Sequence, residues 1–203
     1  MEKKQAMAIA ILIIVAIVLC SAILFLNNLN SFKFAFEKDN VLFVSNEASP
    51  LQLMREFNLN DSIFVSPAIF QSGPENTYQS NAFNLVSIVF IGNDKNTVSL
   101  WRVFDRSNKL LSCRTNNGDV LKDIELTAQD CQKILEDKNN AIVLISLPKD
   151  GGKSRIVFSQ NRIEIIPEKL ENLANVSFAF LKAMYANAEL IIQKTNMFTQ
   201  FVK

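Results

Sequence analysis

Histidine is absent from this chain of 203 residues, and glycine and proline number five each. Without His there is no Ser-His-Asp or Cys-His nucleophile, no His-ligated zinc and no charge switch near neutral pH. Scarce glycine leaves little material for loops that wrap a phosphate. Gly151-Gly152-Lys153-Ser154 mimics the end of a P-loop, yet Leu147 stands where the first glycine is required. The stretch after it, Arg155 to Ser159, reads as a strand where that motif needs a helix. Neither G-x-S-x-G, G-x-G-x-x-G nor an EF-hand loop occurs.

An excess of charge of either sign is also lacking. Lys and Arg total 21 against 20 Asp and Glu, and Lys3 and Lys4 against Glu2 account for the single net positive charge. The remainder is formally neutral, which excludes the basic footprint of a nucleic-acid binder and a polybasic lipid-binding segment. Neighbouring carboxylates such as Glu136 and Asp137 point different ways from a helix and read as solvated. No residue is therefore assigned a catalytic, cofactor-binding or metal-binding role. The expectation is a non-enzyme without a cofactor and without a nucleic-acid partner.

What is present begins with the run Ala6 to Leu26, AMAIAILIIVAIVLCSAILFL, which holds no charge and one hydroxyl, Ser21. About 20 apolar residues at 1.5 Å each cross a hydrocarbon core roughly 30 Å thick. A soluble helix would keep a polar stripe, and this one has none. The run is read as a transmembrane helix. A cleaved signal peptide would have a shorter apolar core and small residues before the cut, whereas Phe25-Leu26-Asn27 offers neither. A pilin-like leader fits Lys3-Lys4-Gln5-Ala6 only loosely, since no acidic residue follows early in the run. Lys3 and Lys4 precede the run and Asn27, Asn28 and Asn30 follow it, so the amino terminus is expected in the cytoplasm. The division expected is a short cytoplasmic tail over 1–5, the span over 6–26, a linker over 27–31 and an extracytoplasmic domain over 32–203.

That domain is expected to be α+β: one mixed, mostly antiparallel sheet with a long C-terminal helix packed on it. Phe32, Phe34 and Phe36 alternate with Lys33, Ala35 and Glu37, and a turn at 38–40 leads to Val41-Leu42-Phe43-Val44, which predicts a hairpin. Ser49 and Pro50 open a helix to Asn58 with Leu51, Met54 and Phe57 on its inner face. Ile63-Phe64-Val65 follows as a strand, so 41–65 reads as a β-α-β unit with parallel pairing. Residues 67–81 read as the least regular part and the first place to look for a functional loop. Asn84 to Ile91, 97–105, 109–115 and 120–126 read as four antiparallel strands, the last two joined by Asn117-Gly118.

Thr127 opens a helix with Asp130 at its third position, and Ala141 to Leu147 is a strand buried on both faces. A hairpin turns at Gln160-Asn161, and from Glu168 the pattern becomes helical, with Leu170, Leu173, Ala174, Ser177, Phe178, Leu181 and Met184 on one face.

Cys113 and Cys131 both point to the core in this reading. They are either a disulfide, which would stabilise by on the order of 3 kcal/mol, or two buried thiols. Asn60 and Asn175 head N-x-S sequons, with Asn60 the more accessible in a predicted loop. The function expected is a single-pass membrane protein whose extracytoplasmic domain is a non-catalytic protein-interaction or structural module of a cell-envelope complex. Its partners would be the bilayer, through 6–26, and an envelope protein. The alternatives are a membrane-tethered hydrolase using acidic residues, or a pilin-like surface subunit.

Overall fold

Asp39 and Asn40 both adopt left-handed backbone, at φ 53° and 60°. A two-residue hairpin turn demands that conformation, and Asp and Asn tolerate it. The turn joins β1 (Phe34–Lys38) to β2 (Val41–Ser45) in antiparallel register, with Lys38 opposite Val41. The computed structural model describes residues 32–92, 94–116, 124–149 and 152–184. The chain divides into two compact units, Met1–Lys33 and Phe34–Lys203, and every described strand and helix belongs to the second. The predicted span over 6–26, the Asn117-Gly118 turn and the chain beyond Met184 lie outside the described residues. Among the described residues no helix is long and apolar enough to cross a membrane.

After β2 come α1 (Pro50–Asn58), β3 (Ser62–Phe70), α2 (Glu75–Ile91), β4 (Asn96–Phe104), β5 (Leu110–Asn116) and β6 (Ile124–Thr127). Next are α3 (Ala128–Glu136), β7 (Ala141–Ile145), β8 (Arg155–Ser159), β9 (Arg162–Ile166), a 3-10 turn over Leu170–Asn172 and α4 (Leu173–Met184). The strands form one sheet in the order β1-β2-β8-β9-β7-β3-β4-β5-β6. The fold is α+β with a mixed sheet, as expected, but the sheet is not mostly antiparallel. β9, β7, β3 and β4 run parallel at its centre and β2 pairs parallel with β8, so among the described strands four pairings are parallel and four antiparallel.

Three local expectations are corrected. Asn84 to Ile91 is not a strand but the second half of α2. A continuous apolar run fits a buried helix as well as a strand, and here Gln79, Ala82, Val86 and Phe90 recur at helical spacing and are all buried. The β-α-β unit is therefore β3-α2-β4, whose strands pair in parallel. β2 and β3 do not pair at all, because β8, β9 and β7 lie between them. Finally, Leu51 is 63% exposed; α1 instead buries Pro50, Leu53, Met54 and Phe57.

Alternation across the sheet feeds two cores. On one face Phe43, Ile63, Val65, Val143, Ile156 and Ile163 meet Phe57 of α1, Val86 and Phe90 of α2, and Val176 and Phe180 of α4. Phe90 is the hub, with ring centroids 6.1 Å from Phe57 and 6.4 Å from Phe180. On the other face Phe64, Leu100, Cys113 and Leu126 meet Cys131, Ile134 and Leu135 of α3. β7, covered on both sides, is buried at all five positions, as its unbroken apolar sequence implied. The buried face of the last helix is wide enough to include Phe180, which is fully buried, whereas Phe178 is only half-buried.

Candidate functional site

In sheets with parallel strands, ligands favour the carboxyl ends at the point where successive connections leave in opposite directions. Here that point lies between β3 and β7. From β3 the chain passes through α2 to β4 on one side; from β7 it passes to β8 on the other. The carboxyl ends of these strands hold a polar cluster built from Ser66, Gln79, Arg102, Ser146 and Glu164.

Its origin is Pro67, which sits inside a central strand and cannot donate to the ladder. The β3–β4 register passes over Ser66 and Pro67 and resumes with Ala68 opposite Arg102. The Leu100 carbonyl, on the side where a residue 67 amide would bond, accepts instead from the Ser66 hydroxyl at 2.7 Å. Beyond this break β3 leaves β7. The Ala68 amide donates to Gln79 Oε1 at 3.0 Å, and Gln79 Nε2 donates to the Ser146 carbonyl at 3.4 Å. Gln79 is fully buried on α2 and acts as a splice between the diverging strands.

Arg102 closes the other face of the same gap. Its Nη2 donates to the Ile145 carbonyl at 2.7 Å and to the Ser66 carbonyl at 3.0 Å. Burial pushes its pKa down from 12.5 to about 10, Glu164 opposes that shift, and Arg162 adds to it. Even so lowered, the guanidinium stays charged at neutral pH. The Glu164 carboxylate accepts from the Ser146 hydroxyl at 2.7 Å and from Lys149 Nζ at 3.1 Å, so it acts on Arg102 through its field. Arg102 Nε is buried and has no hydrogen-bond partner. The cluster thus consists of side chains meeting backbone groups that the broken ladder would otherwise leave over.

Among the described residues, concave surfaces also lie away from this cluster. A cleft of about 400 Å³ opens at the amino ends of β7 and β9, lined by Glu47, Asp137, Lys138, Asn140, Asn161 and Arg162 among others. Two open hollows border the 67–81 region: one of about 670 Å³ with Glu75 and Arg106, one of about 510 Å³ with Arg114 and Glu125. That region is more regular than its sequence implied, since β3 runs to Phe70 and α2 starts at Glu75. The short loop is pinned by Asn76, whose amide both accepts from the Phe70 N–H at 2.9 Å and donates to its carbonyl at 2.8 Å.

Cys113 of β5 and Cys131 of α3 form a disulfide, with Cα atoms 5.6 Å apart and both residues buried. Asn60 lies in the loop after α1, but its amide donates to the Phe57 carbonyl at 3.2 Å and closes the helix end. Asn175, expected to be the less accessible sequon, is exposed on the first turn of α4.

Sequence reasoning singles out none of the cluster residues. It carries two signals that point to them: Pro67 within an apolar stretch, and Arg102 on the strand face otherwise made by Val98, Leu100 and Phe104. No protein-family model matches the chain, and no curated protein or solved structure is significantly similar to it.

Proposed function

We propose that the chain is a single-pass membrane protein whose extracytoplasmic domain, over 32–203, is a non-catalytic protein-interaction or structural module of a cell-envelope complex. One observation carries the non-catalytic part. The switch point of the parallel strands, the usual seat of a ligand in such sheets, is filled by Gln79 and Arg102, which bind the chain's own backbone. The buried Cys113–Cys131 bond supports an oxidising compartment for the domain. The uncharged run over 6–26, with lysines only before it, supports the anchor and its direction.

The test is affinity isolation of the intact chain from detergent-solubilised membranes. Specific envelope proteins should accompany it and be lost in high detergent. Recovery of the chain alone, together with turnover of a small substrate, would replace the module with an enzyme.

A further inference from the structure

β1 is the first strand of the sheet and, among the described residues, nothing pairs with its outer edge. Which residues face that edge is set by one bond. The Leu42 amide donates to the Ser154 carbonyl at 3.0 Å, on the β8 side. Backbone groups alternate along a strand, so Val41, Phe43 and Ser45 bond to β1. Their partners Lys38, Phe36 and Phe34 then face β2. Ala35 and Glu37 turn their amides and carbonyls outward, and Lys33, exposed at a bend, immediately precedes the strand.

We infer that this edge pairs with the same edge of a second copy, antiparallel and centred on Ala35. The register sets Ala35 opposite Ala35, Phe34 opposite Phe36, and Lys33 opposite Glu37. Ala35 then meets its counterpart as a closely spaced pair that exchanges both backbone bonds, and a Lys33 and Glu37 side chain flank that pair on each side. The charges complement each other; a centre at Glu37 would oppose Glu37 to itself, and one at Lys33 would oppose two lysines. Charged residues on an edge usually discourage pairing, but here their spacing makes the edge self-complementary. Among the described residues Glu37 pairs with Lys153, at 3.7 Å and largely in solvent.

The rings supply the second reason. Phe34 is 42% exposed, the first residue of a strand whose next inward-facing ring, Phe36, stacks on Phe43 at 4.7 Å and 4°. Phe43 in turn lies 6.3 Å from Phe158. Placing a second copy's Phe34 opposite Phe36 continues this row of rings across the symmetry axis, and such cross-strand aromatic pairs stabilise a sheet. The pairing needs only β1 and its flank, so it does not depend on the anchor or on the module reading.

The test uses the full-length chain with Cys20→Ser, so that a new cysteine is the one free thiol. Facing residues in a closely spaced pair have Cα atoms about 5.5 Å apart, within the span of a disulfide. Ala35→Cys should therefore give a covalent dimer on mild oxidation, whereas Leu59→Cys, also exposed to solvent, should stay monomeric. Adding Lys33→Glu to Ala35→Cys should cut the dimer several-fold, and Lys33→Glu with Glu37→Lys should restore it. The inference is overturned if Ala35→Cys stays monomeric, if Leu59→Cys cross-links as well, if the charge changes have no effect, or if the partner captured is a different protein.

Discussion

The Ser66 hydroxyl donates to the Leu100 carbonyl at 2.7 Å and replaces the bond that Pro67, next along the strand, cannot make. A central strand thereby keeps a proline without an orphaned acceptor. Ser66→Ala should cost about 1–3 kcal/mol, the usual cost of a buried polar group left unpaired. Adding Pro67→Ala supplies an amide at the same place and should recover part of that loss. Denaturant unfolding of the two variants checks this; equal stability of the single and double variants would contradict it.

Gln79 serves two strands with one side chain, accepting from Ala68 and donating to Ser146. Gln79→Leu keeps the volume and removes both bonds. It should lower stability by roughly 2–4 kcal/mol, with most of the loss assigned to the two backbone groups left buried. Hydrogen exchange at the Ala68 amide should rise more than at Val65, which stays within the ladder.

Arg102 holds the Ile145 and Ser66 carbonyls with one nitrogen. Arg102→Lys keeps the charge and a donor but not the reach or volume of the guanidinium, so it should be mildly destabilising, and Arg102→Met, which leaves both carbonyls without this donor, more so. If these changes leave the fold intact and abolish an activity instead, the cluster is a ligand site and the non-catalytic reading fails.

Thr127 caps α3 by accepting from the Asp130 amide at 3.2 Å, and Asp130 bonds Lys133 and the Thr127 hydroxyl. Thr127→Ala should cost about 1 kcal/mol. The Lys133 contact, and then Thr127, hold the Asp130 pKa below its ordinary value of 3.8. A carboxylate whose folded pKa is depressed stabilises above its unfolded pKa, and that contribution fades as pH falls through the folded value. The stability gap between wild type and Asp130→Asn should therefore be full at neutral pH and close below pH 3.8. A gap that persists unchanged in acid would contradict this.

The disulfide ties α3 to β5 across the smaller core. Replacing both cysteines by serine should lower stability by on the order of 3 kcal/mol in the chain-entropy model. Bonded to each other, the two sulfurs offer no free thiol, so thiol reagents should label neither cysteine in the native oxidised protein and both after reduction and unfolding.

Local signals in the sequence are faithful to local structure. The Asp39-Asn40 turn, the bounds of α1, the Thr127 cap and the fully buried β7 all arise from residues within a few positions of one another. Leu51, placed on the wrong face of α1, is a local failure; the others are non-local. Nothing near Asn84 to Ile91 distinguishes a buried strand from a buried helix; contact with β3 and α4 decides it. The strand order, which inserts β8, β9 and β7 between β2 and β3, leaves no mark in either hairpin. The polar cluster is illegible for the same reason. Arg102 stands out on an apolar face, but its acceptors lie 36 and 43 residues away.

The proposed function rests on the location of the folded unit, which follows an uncharged run of membrane length in the sequence. Protease added to intact cells or spheroplasts measures it directly. Digestion of the domain from outside, leaving a small membrane-bound fragment containing residues 6–26, is the predicted result. A domain untouched in intact cells and digested only after lysis, in a fraction free of lipid, would contradict it.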